Sequence, residues 1–156
     1  MIGFGEKNEE LGNYVFMISL EENSSGLSVV IAPGVSAGKM VLADVQDSCE
    51  GELLAKCDRI VPDENRLYKI VFPCCLFHIS RDESYVAEDP NEESAGTHLV
   101  VCDKSALLDC FHILMDSFLI DHMNKGRPLM HYGIYCQDNI IDVITIEKPI
   151  ISKLFS

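Results

Sequence analysis

The residues best suited to chemistry stand close together at Cys74-Cys75-Leu76-Phe77-His78, two thiols beside an imidazole. On an extended strand Cys74, Leu76 and His78 share one face, an arrangement open to a metal ion or to a cysteine nucleophile with histidine as its base. Adjacent cysteines on a strand point oppositely, whereas structural zinc takes cysteine pairs about two to four residues apart. Buried thiols packing as small hydrophobes are the plainer reading. A second constellation, Asp109, His112 and Asp116, falls at helical spacing. Carboxylates flanking an imidazole can orient a base or hold a metal, but such pairs are also routine on a solvated helix face. His98 and His131 have no partner visible in the sequence, and His122 falls near the apolar stripe of a helix. The stretch from Ala32 to Met40 carries Gly38-Lys39, yet Pro33 stands where a phosphate-binding loop needs its first glycine and Met40 where it needs a hydroxyl. A turn between strands is expected there.

The strongest departure from an average chain is where the acid sits. The 156 residues carry 25 Asp and Glu against 12 Lys and Arg, a formal net charge of −13. Asp82, Glu83, Glu88, Asp89, Glu92, Glu93 and Asp103 have no Lys or Arg between them. Asp44, Asp47, Glu50, Glu52, Asp58, Asp63 and Glu64 meet only Lys56 and Arg59, and the two segments hold 14 of the 25 carboxylates. This balance argues against nucleic-acid phosphate or a membrane surface as partner, since both need local positive charge. Acid of this kind can serve solubility alone. As a working surface it steers a cationic protein and speeds its association, with Tyr85 as an aromatic anchor. A binding role is therefore expected rather than a catalytic one. Its contacts are Asp82, Glu83, Tyr85, Glu88, Asp89, Glu92 and Glu93 in one loop and Asp44, Asp47, Glu50 and Glu52 in another. No D-x-[DN]-x-[DN]-G calcium loop occurs, and no metal or organic cofactor is expected.

The elements that must position these residues read as strands for the most part. Asn13 to Glu21 and Leu27 to Ala32 are β-branched and aromatic runs around a five-residue loop, Glu22 to Gly26. Lys39 to Val45 suggests a third strand, and Gln46 to Asn65 a short helix or irregular strand. Arg66 to Ser80 is long and apolar but contains Pro73, which cannot donate to a ladder and predicts a bend between two pieces. Arg81 to Thr97 is loop-like, with a short strand at Tyr85 and Val86, and His98 to Cys102 resumes a strand. Leu107, Leu108, Phe111, Leu114, Met115, Phe118, Leu119 and His122 recur at three and four, predicting one helix from about Ser105 to Lys125. Asp103 or Ser105 would cap it, and Gly126 with Pro128 would stop it. Leu129 to Cys136 and Asn139 to Lys148 are strands joined at Gln137-Asp138, the second too apolar for an edge. The pattern implies a single α+β domain over 1–156: a mostly antiparallel sheet of about 6–8 strands with one long amphipathic helix packed on it.

Met1 to Tyr14 lacks the apolar run of a secretory signal. The nearest approach to a membrane helix, Leu107 to Ile120, is interrupted by Asp109, His112 and Asp116. Seven cysteines without regular spacing, in a chain long enough to fold unstapled, fit reduced thiols in a cytoplasm. Small size, polarised acid and the lack of a catalytic motif together resemble bacterial immunity proteins, which neutralise nuclease toxins. Those proteins share no common fold, so the resemblance assigns no residue roles. The alternatives are a small enzyme using Cys74 or Cys75 with His78, and a structural subunit whose apolar tail, Pro149 to Phe155, packs on its own domain or another chain.

Overall fold

A computed structural model describes residues 4, 7–39, 57–85 and 90–154. The first apolar runs build a hairpin in which β1 (Val15–Asn23) lies antiparallel to β2 (Gly26–Lys39), with Asn23 opposite Gly26. The connection is thus two residues, shorter than the loop expected. The Asn23 side chain accepts the Ser25 amide at 2.8 Å. Gly26 takes a φ of 110°, and a Cβ there would stand 2.2 Å from the Phe72 carbonyl oxygen. Only glycine fits that approach.

The turn expected across Pro33 to Gly38 is instead the second half of β2. The strand changes partners there: Val15 lies opposite Pro33, and from Gly34 onward β2 pairs with β3 (Asp58–Pro62). Gly34 is spent on packing, since a Cβ would come within 2.7 Å of the Ile60 side chain and 2.9 Å of that of Tyr14. Of the strand expected at Lys39 to Val45 only Lys39 is described, as the end of β2. The mixed segment that follows is described only from Cys57 and holds β3.

Pro73 breaks the long apolar run as its chemistry predicts. β4 (Leu67–Phe72) pairs with β2 and with β10 (Ile150–Leu154), completing a five-stranded sheet ordered β1-β2-β4-β10 with β3 beside the far half of β2. Past Pro73-Cys74 the chain enters a second sheet at β5 (Cys75–Asp82), followed by a 3₁₀ turn at Glu83–Tyr85 and the short β6 (Glu93–Ala95). β7 (Leu99–Lys104), β8 (Met130–Tyr135) and β9 (Asn139–Thr145) complete the order β5-β9-β8-β7-β6. Every one of these pairings is antiparallel. The described residues therefore form ten strands in two sheets, more than the one sheet of about 6–8 strands expected. The strands not expected as such are β6, short and not apolar enough to read from pattern, and β10, read only as an apolar tail, while β4 and β5 are the two pieces that Pro73 predicts and β3 resolves the mixed segment as a strand.

The core lies between the sheets. Leu27, Val29, Ile31, Ile70 and Phe72 of the first cluster with Tyr132, Ile134, Ile141 and Val143 of the second. The Phe72 and Tyr132 rings sit 5.9 Å apart across the interface. β9 is internal, as its composition predicts, and the apolar tail docks on its own domain as β10.

The helix expected over 105–125 is two helices. After the short α1 (Asn8–Leu11), α2 (Ala106–Leu114) begins at Ser105 and ends where Met115 turns extended, at φ −106° and ψ 147°. Asp116 then accepts the Phe118 amide at 2.9 Å and opens α3 (Ser117–Asn124). The apolar stripe expected to pack on the sheet does not reach the core on either side of the break. Phe111 is buried, its ring 6.2 Å from Phe77, while Ile113, Leu114, Met115 and Phe118 are exposed. Lys125 and Gly126 end α3 in left-handed conformations, φ 53° and 74°.

Candidate functional site: a cleft over the second sheet

Ladder register assigns the faces of the second sheet. Leu99, Ile134 and Ile141 lie opposite one another and belong to the core, so their neighbours face outward. Arg81, Ile140 and Tyr135 share that outer face, as do Ile79 and Asp142, and Cys102 and His131. Over it opens a cleft of about 1210 Å³, lined by Arg81, His131 and Tyr135 from the sheet, by Glu83 and Glu92, and by Ser105 at the start of α2.

Three polar side chains at the foot of this cleft form a chain of hydrogen bonds. Ser105 Oγ lies 2.8 Å from His131 Nδ1, and His131 Nε2 lies 3.1 Å from Asp142 Oδ1. A carboxylate only accepts, so Nε2 carries a proton; when the ring is neutral, Nδ1 accepts and the Ser105 hydroxyl donates to it. Arg81 Nε donates to Asp142 Oδ2 at 2.8 Å, and a second guanidinium nitrogen reaches the same oxygen. Ser105 also caps α2, its Oγ accepting the Leu108 amide at 3.2 Å. Ser105 and His131 are 2% exposed and Asp142 is 1%. Among the described residues no buried side-chain nitrogen or oxygen lacks a partner.

The acid around the cleft registers on its neighbours. Burial pushes the Cys102 thiol up to about 12, with the Glu92 and Asp142 charges adding to the effect. Tyr135 is likewise pushed up to about 12 by burial and then by Glu92, with Arg81 opposing. The Cys102 thiol points at Glu92 Oε1 from 3.9 Å.

Of the acidic residues singled out by sequence, the structure brings Glu83 and Glu92 together at this cleft. They come from opposite margins of the sheet, Glu83 just after β5 and Glu92 just before β6. Asp82 ends β5 and accepts the Ser84 amide at 2.9 Å, Tyr85 closes the 3₁₀ turn with 87% of its surface exposed, and Glu93 lies opposite Lys104. Glu88 and Asp89 lie outside the described residues, as do Asp44, Asp47, Glu50 and Glu52. The short strand expected at Tyr85 and Val86 is a 3₁₀ turn at Tyr85, and Val86 is outside the described residues.

The other sequence candidates are not assembled. A bulge between Cys75 and Phe77 breaks the alternation that would align Cys74 with His78, and Cys74 sits in the turn before β5. Burial pushes the Cys75 thiol up to about 11, and burial with the neighbouring Glu147 raises Cys74, the reverse of what a thiolate nucleophile needs. The Asp109, His112 and Asp116 row is cut by the helix break, with Asp116 diverted to capping α3. Among the described residues no group of three or more His, Cys, Asp and Glu is placed to hold a metal ion. No described helix is long and apolar enough to cross a membrane.

Comparison with known protein families, curated proteins and solved structures finds no match. What the chain can do must therefore be argued from the cleft. The Ser105, His131 and Asp142 network was missed by sequence reasoning because its members stand on β8, β9 and the start of α2. The one local signal was Ser105 as a helix cap.

Proposed function

We propose that this protein binds a basic protein partner across the acidic margin of the cleft and thereby inhibits it, as an immunity protein does. The observation that carries the reading is that Glu83 and Glu92, from opposite edges of a five-stranded sheet, line one cleft. With strands about 4.8 Å apart, the flanking elements lie roughly 19 Å from each other. That span suits a basic segment laid over the sheet and is too wide for two carboxylates to chelate one cation. Tyr85, exposed two residues beyond Glu83, offers a flat apolar contact beside the charge. A basic surface of this kind on a nuclease is where phosphate would otherwise bind, and covering it blocks the enzyme. The unbalanced net charge of −13 adds long-range attraction. A cytoplasmic site of action is part of the same proposal.

The test is capture from lysate of the source organism on immobilised protein at low salt, run beside the Glu83→Lys/Glu92→Lys variant. A basic protein retained in stoichiometric amount, released only at high salt and bound at least about tenfold more weakly by the variant, supports the reading. Equal retention by both proteins defeats it, as does early elution of basic proteins in proportion to their abundance.

A further inference from the structure

The cleft floor carries groups that binding a basic segment does not use. Ser105, His131 and Asp142 stand in the order nucleophile, base and orienting acid, each link within hydrogen-bond reach at 2.8 and 3.1 Å. From this geometry we infer that the protein has an acyl-ester hydrolase activity, with Ser105 as nucleophile and His131 as its general base.

The roles follow from where the protons sit. With the ring neutral, the Ser105 hydroxyl donates to His131 Nδ1 across 2.8 Å, the direction in which a nucleophile must give up its proton. Asp142 holds the opposite nitrogen as N–H, which fixes the tautomer that can accept, and its negative charge stabilises the imidazolium once formed. Usual triads present the serine to Nε2 and the acid to Nδ1. Here the two nitrogens exchange tasks, which the symmetry of imidazole chemistry permits. Arg81 holds the outer oxygen of Asp142 and leaves the inner one to His131. Asp142 is a positioning residue; Ser105 and His131 meet the reacting atoms.

The start of α2 supplies the rest. Ser105 is the residue before the first helical turn, and its Oγ receives the Leu108 amide, a hydrogen bond that strengthens as the oxygen gains negative charge. The Leu107 amide, in the first turn and hence without an intrahelical acceptor, would receive the oxyanion, and Leu107 lines the same cleft. The positive end of the helix lies at this point.

In the first step Ser105 Oγ bonds to the acyl carbon, its proton passes to His131 Nδ1, and the ester carbon–oxygen bond breaks as that proton is handed to the leaving alcohol. In the second, water gives a proton to Nδ1 and its oxygen to the acyl carbon. The bond to Oγ then breaks and Ser105 recovers its proton, leaving a carboxylic acid. One water is consumed and nothing is oxidised or reduced. With Ser105 and His131 each only 2% exposed, the acyl group that reaches them is small.

The test uses the whole protein alone, so its outcome does not depend on whether a basic partner exists. Methanesulfonyl fluoride, a small probe, would bond to Ser105 Oγ through sulfur, with fluoride leaving and the proton taken by His131. The expected result is one methanesulfonyl group, located on Ser105 by peptide mass spectrometry. Its rate should exceed that of unactivated serine by about 10²-fold or more. p-Nitrophenyl acetate should be turned over in parallel. Ser105→Asn keeps an acceptor for the Leu108 amide and should lose both while retaining the circular dichroism spectrum of the wild type. An unlabelled but folded wild type overturns the inference. So does a label placed on another residue such as Tyr85, or p-nitrophenyl acetate turnover that persists in Ser105→Asn.

Discussion

Burying a thiol sets a cost that only alkali reveals. Cys136 sits in the core at the end of β8, where burial first and Asp138 second push its thiol up to about 12, and Cys102 is pushed to about 12 as well. In the unfolded chain both lose their protons near the ordinary value of 9.0. Between these values the unfolded form binds fewer protons than the folded one, so stability falls as pH rises, by about 1.4 kcal/mol per unit for each thiol. From neutral pH the urea midpoint should hold steady to about pH 9 and drop from there to about pH 12, with Cys75 and Tyr135, pushed up to about 11 and about 12, adding to the fall. Cys136→Ala should lose about 1 kcal/mol at neutral pH and flatten the alkaline slope. An unchanged slope would mean that Cys136 ionises freely in the folded protein. At this scale the sequence was only partly legible. The acid at Glu83 and Glu92 could be seen in composition, but nothing local ties Ser105 to His131 and Asp142. Ladder register makes that connection by setting Cys102 opposite His131 and leaving Ser105 three residues further on, just past the end of β7.

Helices and strands show where pattern fails for a physical reason. The run from Leu107 to Leu119 keeps its three-and-four spacing straight through Met115, so periodicity had no means of finding a break. The deciding group is Asp116, whose carboxylate serves the Phe118 amide better than a place in the middle of a helix would. Asp116→Ala should cost about 1 kcal/mol and speed amide exchange in the first turn of α3. Because Ile113 and Phe118 are 82% and 74% exposed, Ile113→Ser and Phe118→Ser should each change stability by less than about 0.5 kcal/mol. A loss of several kcal/mol in either would show that the pair packs in solution. Pro73 was legible because its effect is covalent, the loss of a ladder donor at one position. The far half of β2 was not, because Pro33, Gly34 and Gly38 have turn composition and only the arrival of β3 makes them a strand.

Over the whole molecule, the two sheets differ in how they are threaded. The second is drawn from one continuous stretch, β5 to β9, whereas the first takes β1 to β4 from before that stretch and β10 from after it, with Ile150 set opposite Val71. Mixed composition revealed the strands, but sequence alone has no term for such an interruption. In refolding, the contiguous sheet should form first, since its loops close over shorter chain lengths. Pulsed hydrogen exchange should protect Ile141 and Val143 before Lys69 and Ser152, and simultaneous protection would mean that the sheets nucleate together. The same threading bears on life at the ribosome. Strand β4 is synthesised with one neighbour in place, and its other edge waits, bare, until some 80 further residues have emerged. An unpaired strand rich in Leu67, Tyr68, Ile70 and Val71 is a ready template for a stray chain. Nascent copies on one message are thus most exposed to mispairing in the interval between the emergence of β4 and that of β10.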